Sequence, residues 1–163
     1  MRHIISILLE NEAGALSRVS GLFSARAYNI DSLTVAPTDD PTMSRITVVT
    51  CGDDAVINQI TKQLHKLVDV VKLVKLADGE YFEREILLLK LSPTESQKAE
   101  LEACMKEMNA VTLDQTEGCI TLEITSSGPE LDEAIKTLAQ FNVIEVVRSG
   151  TVGINAGSSV LRL

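Results

Sequence analysis

The sequence contains no tryptophan, and aromatic residues make up only 3% of its 163 positions. Its core must therefore be aliphatic, drawn from leucine, isoleucine and valine. Cysteine is scarce. Cys51, Cys104 and Cys119 form an odd, widely spaced set without a C-x-x-C pair, which argues against a disulfide framework, a zinc site or a dithiol redox centre. His3 and His65 lie far apart with no ligand-type spacing, so no metal site is expected. Basic residues are outnumbered 15 to 23, leaving a net charge of -8. That balance speaks against nucleic acid and against anionic membrane surfaces as partners. No apolar run reaches the roughly 18 residues of a membrane span. One arginine followed by an alternating strand is no signal peptide, so the expected compartment is the cytoplasm. Phosphate-binding glycine motifs and a nucleophile elbow are also missing; no catalytic residues are expected.

What is present is a soluble-type composition, 45% hydrophobic and 23% charged, carrying one order of elements twice. Arg2 to Leu9 reads as a strand and Asn11-Glu12-Ala13-Gly14 as a turn. Leu16, Val19, Leu22, Phe23 and Ala27 recur at helical spacing. Ile30 to Ala36 is a second strand, Pro37 to Thr42 a polar loop, and Ser44 to Cys51 a third strand with Ile46, Val48 and Thr50 on one side. Asp53 is a candidate N-cap for a helix striped by Val56, Ile60, Leu64 and Leu67. Val68 to Leu76 closes the first half as a strand.

Asp78-Gly79-Glu80 is the expected domain break. Beyond it, Phe82 to Leu91 reads as a strand, and Ser92-Pro93-Thr94-Glu95 as a capping box with proline at the first helical position. Leu101, Cys104, Met105 and Met108 stripe the next helix. Val111 to Gln115 and Cys119 to Thr125 are strands joined through Glu117-Gly118. Ser127-Gly128-Pro129-Glu130 is a second capping box, Leu131, Ala134, Ile135 and Leu138 its helix face, and Val143 to Arg148 the closing strand. The expected fold is α+β: two ferredoxin-like βαββαβ domains, residues 1–77 and 81–150, with residues 151–163 a frayed tail. Four strands with both helices on one side leave a sheet face bare. Pairing with a second copy would cover it, so a homodimer is expected.

The turn after the first strand carries the one candidate site. A helix start presents N–H groups without intrahelical partners and the positive end of the dipole, which suits a carboxylate. Gly14 and Ala15 leave room for an anion to approach the backbone, and Asn11 supplies a side-chain carbonyl for an ammonium group. Together these describe a free amino acid, with Leu9, Leu16 and Ile30 as an apolar wall. The same residues also spell an ordinary turn that starts a helix.

The run NEAGALSRVSGLFSARAYNIDSLTVAPTDDPTMSRITVVT, the segment from Gln63 to Val70, Arg84-Glu85 and Arg148-Ser149-Gly150 closely resemble the regulatory (small) subunits of acetolactate synthase, also called acetohydroxyacid synthase. The resemblance spans essentially the whole chain and is weakest between Ser92 and Ser127. It implies an N-terminal ACT domain that binds an amino acid at a domain–domain interface, a second ferredoxin-like domain, and no active site. It further implies a separate large catalytic subunit that uses thiamine diphosphate, Mg²⁺ and FAD to condense pyruvate with pyruvate or 2-oxobutyrate. On that pattern this chain raises the activity and makes it sensitive to a branched-chain amino acid, free valine as the usual effector. It would dimerise through its ACT domains.

Carried over by position, Asn11, Gly14, Ala15 and Leu16 match the family's effector-binding turn, with Leu9 beside them as apolar wall, and Asn29 and Ile30 match the segment that faces the effector from the partner copy. Asn29 also reads as a helix C-cap. Asp39-Asp40 reads either as a contact to the catalytic subunit or as a solvated loop. The alternative to this functional reading is a stand-alone ACT-type amino-acid sensor with a different client protein.

Overall fold

A computed structural model describes residues 1–76 and 79–162. Ala77 and Asp78, where the first domain was expected to end and the break to begin, and Leu163, the last residue of the expected tail, lie outside the described residues. The chain divides into two compact units, Met1–Phe82 with Thr151–Leu163, and Glu83–Gly150.

In the first unit, β1 (Arg2–Glu10), β2 (Ser32–Pro37), β3 (Met43–Cys51) and β4 (Val70–Lys75) form an antiparallel sheet in the order β2-β3-β1-β4. The two-residue period of β1 sends Ile5, Ile7 and Leu9 toward α1 (Ala15–Ser24) and α2 (Asp54–Leu64), where they pack with Val19, Phe23, Ile57 and Ile60. Two members of the expected first helical stripe are displaced. Leu16 is 41% exposed, at the margin of the stripe that Ala15, Val19, Leu22 and Phe23 form. Ala27 lies past the helix, in the left-handed region at φ 54°. Its N–H donates to the Ser24 carbonyl and that of Tyr28 to the Phe23 carbonyl, a Schellman closure. Ala27 thus fills the capping role that Asn29 was a candidate for. In α2, Asp53 caps as expected, its carboxylate accepting from the Val56 N–H at 2.8 Å. Strand β4 starts two residues later than expected, and Val68 stands 86% exposed.

The segment expected to be a frayed tail is instead ordered against the other face of this sheet. It carries β9 (Val152–Asn155). Thr151, 1% exposed, donates its N–H to Ser32 Oγ at 2.9 Å. The Ala156 N–H donates to the Glu80 carbonyl. Arg45 bridges the two layers, Nε to Ser6 Oγ at 2.8 Å and Nη2 to the Gly153 carbonyl at 2.9 Å. Leu161 packs on Leu8 and Met43. This cover is why both faces of β3 are buried where only one was expected, and why Ser6 and Thr47 are buried with it. The sheet face expected to need a second copy is covered by the chain's own C-terminal segment.

In the second unit, β5 (Tyr81–Leu91, whose first two residues belong to the first unit), β6 (Val111–Thr116), β7 (Cys119–Ser126) and β8 (Val143–Arg148) lie in the order β6-β7-β5-β8. Leu87, Leu89, Leu91, Leu122 and Ile124 pack against Leu101 of α3 (Lys98–Glu107) and Leu131 and Leu138 of α4 (Gly128–Leu138). The capping box before α4 forms as expected between Ser127 and Glu130. The one before α3 is displaced. Ser92 is held by the strands, its N–H to the Asn142 carbonyl and its Oγ to the Gly118 carbonyl, so the box closes between Thr94 and Gln97 and a 3₁₀ turn precedes the helix. Glu85, 4% exposed, accepts both arms of Arg148, which also reaches Asp132.

Candidate functional site

The turn between β1 and α1 is held from below by backbone. The Glu10 N–H donates to the Asp69 carbonyl and that of Asn11 to the Thr42 carbonyl, while Asn11 Nδ2 donates to the Pro41 carbonyl at 3.0 Å. Gly14 then takes the N-cap position of α1 at φ 88°, a left-handed conformation that glycine adopts without a steric cost. No side chain caps this helix start, and its first turn holds no acidic residue. The N–H groups of Leu16 and Ser17 thus have no intrahelical acceptor.

The structure brings together Asn11, Gly14, Ala15 and Leu16, with Asn11 and Leu16 on the surface. Ala15 is 2% exposed, so it contributes backbone to the turn rather than side chain. Leu9, expected as part of an apolar wall, is 2% exposed and packed in the core beneath the turn; it supports the site without facing it. Asn29 and Ile30 lie beyond the other end of α1, about 15 Å of helix away. Asn29 Nδ2 donates to Asp31, its carbonyl accepts from Thr50 Oγ1, and Ile30 packs on the core. Within one copy the two groups of candidate residues do not meet. The loop acids are engaged locally. Asp40 accepts from the Thr42 N–H and hydroxyl, which hold its carboxyl below its ordinary pKa, and Asp39 pairs with Arg162.

One functional group at the turn escaped the sequence. Arg18 donates Nε to Asp69 Oδ2 at 2.5 Å and Nη2 to Asp69 Oδ1 at 2.6 Å. Asp69 is 4% exposed. The hydrogen bonds between the two side chains, helped by their opposite charges, hold the arginine's pKa above and the aspartate's below their usual values. The guanidinium lies against Gly14: a Cβ built there would sit 2.9 Å from Arg18 Nη1. Spacing could have suggested half of this, because Arg18 is four residues after Gly14 and so on the same face of the helix. The link to Asp69, 51 positions away, has no local signature. Elsewhere, cavities of about 600 Å³ beside His65, Lys75 and Asn155 and about 640 Å³ beside Leu101, Met105 and Glu117 hold none of the expected site residues. Among the described residues, no group of three His, Cys, Asp or Glu could hold a metal ion, and no helix is long and apolar enough to cross a membrane.

A βαββαβ sheet-and-helix unit with an uncapped glycine turn opening its first helix, followed by a second unit of the same order, defines a regulatory protein of the ACT class. Residues 5–72 match the AHAS small subunit-like ACT domain, and residues 84–157 match the family described as small subunit of acetolactate synthase. The acetolactate synthase isozyme 3 small subunit of Salmonella typhimurium is 47% identical over 163 residues, covering 99% of this chain and 100% of that one. The acetolactate synthase small subunit of Haemophilus influenzae is 47% identical over 158 residues, 96% of this chain and 97% of its own length. The crystal structure of the Thermotoga maritima small subunit superposes with a TM-score of 0.86 at 32% identity, covering 98% of this chain and 99% of that one. The chain belongs to the acetolactate synthase small-subunit family, whose members are regulatory rather than catalytic.

Proposed function

We propose that this chain binds a large catalytic acetolactate synthase subunit, raises its activity, and makes it sensitive to free valine in branched-chain amino acid synthesis. The observation that carries this is family membership over both units, 5–72 and 84–157. The uncapped helix start at Gly14 supplies the chemistry for an effector carboxylate. In this reading Asn11, Gly14, Ala15 and Leu16 form one side of the effector site, over Leu9. Asn29 and Ile30 of a second copy form the other side, because they lie at the far end of α1 in their own copy. The two ACT domains therefore associate as a homodimer; β2, with Val35 39% exposed, is one of the sheet's two edge strands. Thiamine diphosphate, Mg²⁺ and FAD belong to the catalytic partner. The assembly works in the cytoplasm, residues 1–77 forming the effector domain and 81–150 the second ferredoxin-like domain.

The test is to mix the chain with a catalytic subunit and titrate valine against acetolactate formation from pyruvate. The rate should rise when the chain is added and fall as valine accumulates. A demonstrated complex with an unchanged rate would remove the activating role. Acetolactate made by the chain alone would remove the regulatory one.

A further inference from the structure

The arginine beside Gly14 does more than close a gap. Arginine carries five N–H donors in a rigid planar fork. Two of them are spent on Asp69, through Nε and Nη2. Both hydrogens of Nη1 and one of Nη2 remain, and Nη1 is the nearest atom to the position a Gly14 Cβ would occupy. Asp69 is almost wholly buried while the arginine side chain is 45% exposed. The carboxylate thus holds the root of a cation whose outer edge meets solvent at the start of α1. A bidentate pair of this kind removes most of the torsional freedom a long side chain would otherwise lose on meeting a ligand.

The geometry points to Arg18 as a specificity-determining residue of the effector site: its outer guanidinium edge reads the α-carboxylate of the amino acid, and Asp69 is the positioning residue that aims it. This rests on the effector reading proposed above. It adds that recognition depends on a full negative charge, so an amino acid is preferred to its amide. The N–H groups at a helix start already favour a carboxylate over a neutral amide oxygen, and the guanidinium adds to that preference. A guanidinium edge discriminates strongly, because a charge-assisted pair is about twice as strong as a neutral one.

The experiment is calorimetric titration of the full chain with L-valine and with L-valinamide. Four proteins are compared: the native chain, Arg18→Gln, the double variant Arg18→Gln/Asp69→Asn, and Gly14→Asp. The double variant removes both charges, so no buried carboxylate is stranded and the fold is kept if the single variant loses it. The native chain should bind valine at least about tenfold more tightly than valinamide. In whichever Arg18 variant folds, that ratio should fall toward one, mainly through loss of valine affinity. A purely structural ion pair would lower the melting temperature and leave the ratio where it was; that result overturns the inference. Valine binding that Gly14→Asp abolishes, together with an unchanged ratio in the double variant, refutes Arg18 alone and leaves the effector site standing. Valine binding unaffected by Gly14→Asp refutes the site itself.

Discussion

Gly153 offers the sharpest test of where the C-terminal segment belongs. A Cβ placed on it would lie 2.4 Å from Leu76 Cδ1 and 3.7 Å from Ile4 Cγ2. Apolar carbons rest at about 3.5–4.0 Å, so Gly153→Ala forces Leu76 or the segment to move by more than about 1 Å. Leu76 has little room to yield, being fully buried against Ile4 and Val49. Overpacking of this kind costs about 1–3 kcal/mol. For a unit of about 95 residues each kcal/mol lowers the melting temperature by roughly 4–8 °C, so the expected fall is on the order of 4–24 °C. Shortening the opposing side chain should relieve the clash. Leu76→Ala alone costs about 2–5 kcal/mol, and the double variant should cost less than the sum by about 1 kcal/mol or more. Scanning calorimetry of the four proteins measures this directly. An unshifted transition in Gly153→Ala, or strictly additive effects, would mean that residues 151–162 do not lie on the sheet in solution.

Three further outcomes are expected. Gly14→Asp places a β-carbon at φ 88° and a carboxylate beside the proposed effector carboxylate. Like charges about 4 Å apart repel by about 4 kcal/mol at an effective dielectric of 20, so the valine inhibition curve of the assembled synthase should shift by more than tenfold; an unshifted curve places the effector elsewhere. The hydroxyls of Ser126 and Ser127, with the Ser127 N–H, pull Glu130 down to about 2 from 4.5. Its contribution is therefore full above about pH 4.5 and is lost as pH falls toward 2, and Glu130→Gln should flatten the plot of melting temperature against pH over that window. Sedimentation of the chain at micromolar concentration with valine should give at least a dimer; a 17.7 kDa particle would contradict an effector site shared between copies.

Much of the architecture was legible in the residues because it rests on local rules. The alternation of β1, the Asp53 cap and the Ser127–Glu130 box follow from periods and hydrogen bonds that span a few positions. The candidate turn was legible for the same reason, since Asn11, Gly14, Ala15 and Leu16 are neighbours in the chain. Residues whose role hangs on distant partners were not. Leu16 and Leu9 read alike as apolar wall, yet the course of β1 into α1 buries one and exposes the other. Ser92 had the pattern of a cap and was taken by the strands instead.

By itself the sequence determined the βαββαβ order, its repetition and the aliphatic core, because hydrophobic period and capping chemistry act within a few residues. It also carried the family likeness, which lies in the residues themselves. Only the tertiary structure decided that the glycine-bearing end of the chain covers the first sheet. A strap held by its backbone, by Gly153 and the single Leu161, and by Arg45 reaching out from β3, leaves no hydrophobic period to read. Only the tertiary structure, too, set Arg18 against Asp69 at the helix start, since a charge pair formed across 51 positions depends on where two elements come to rest.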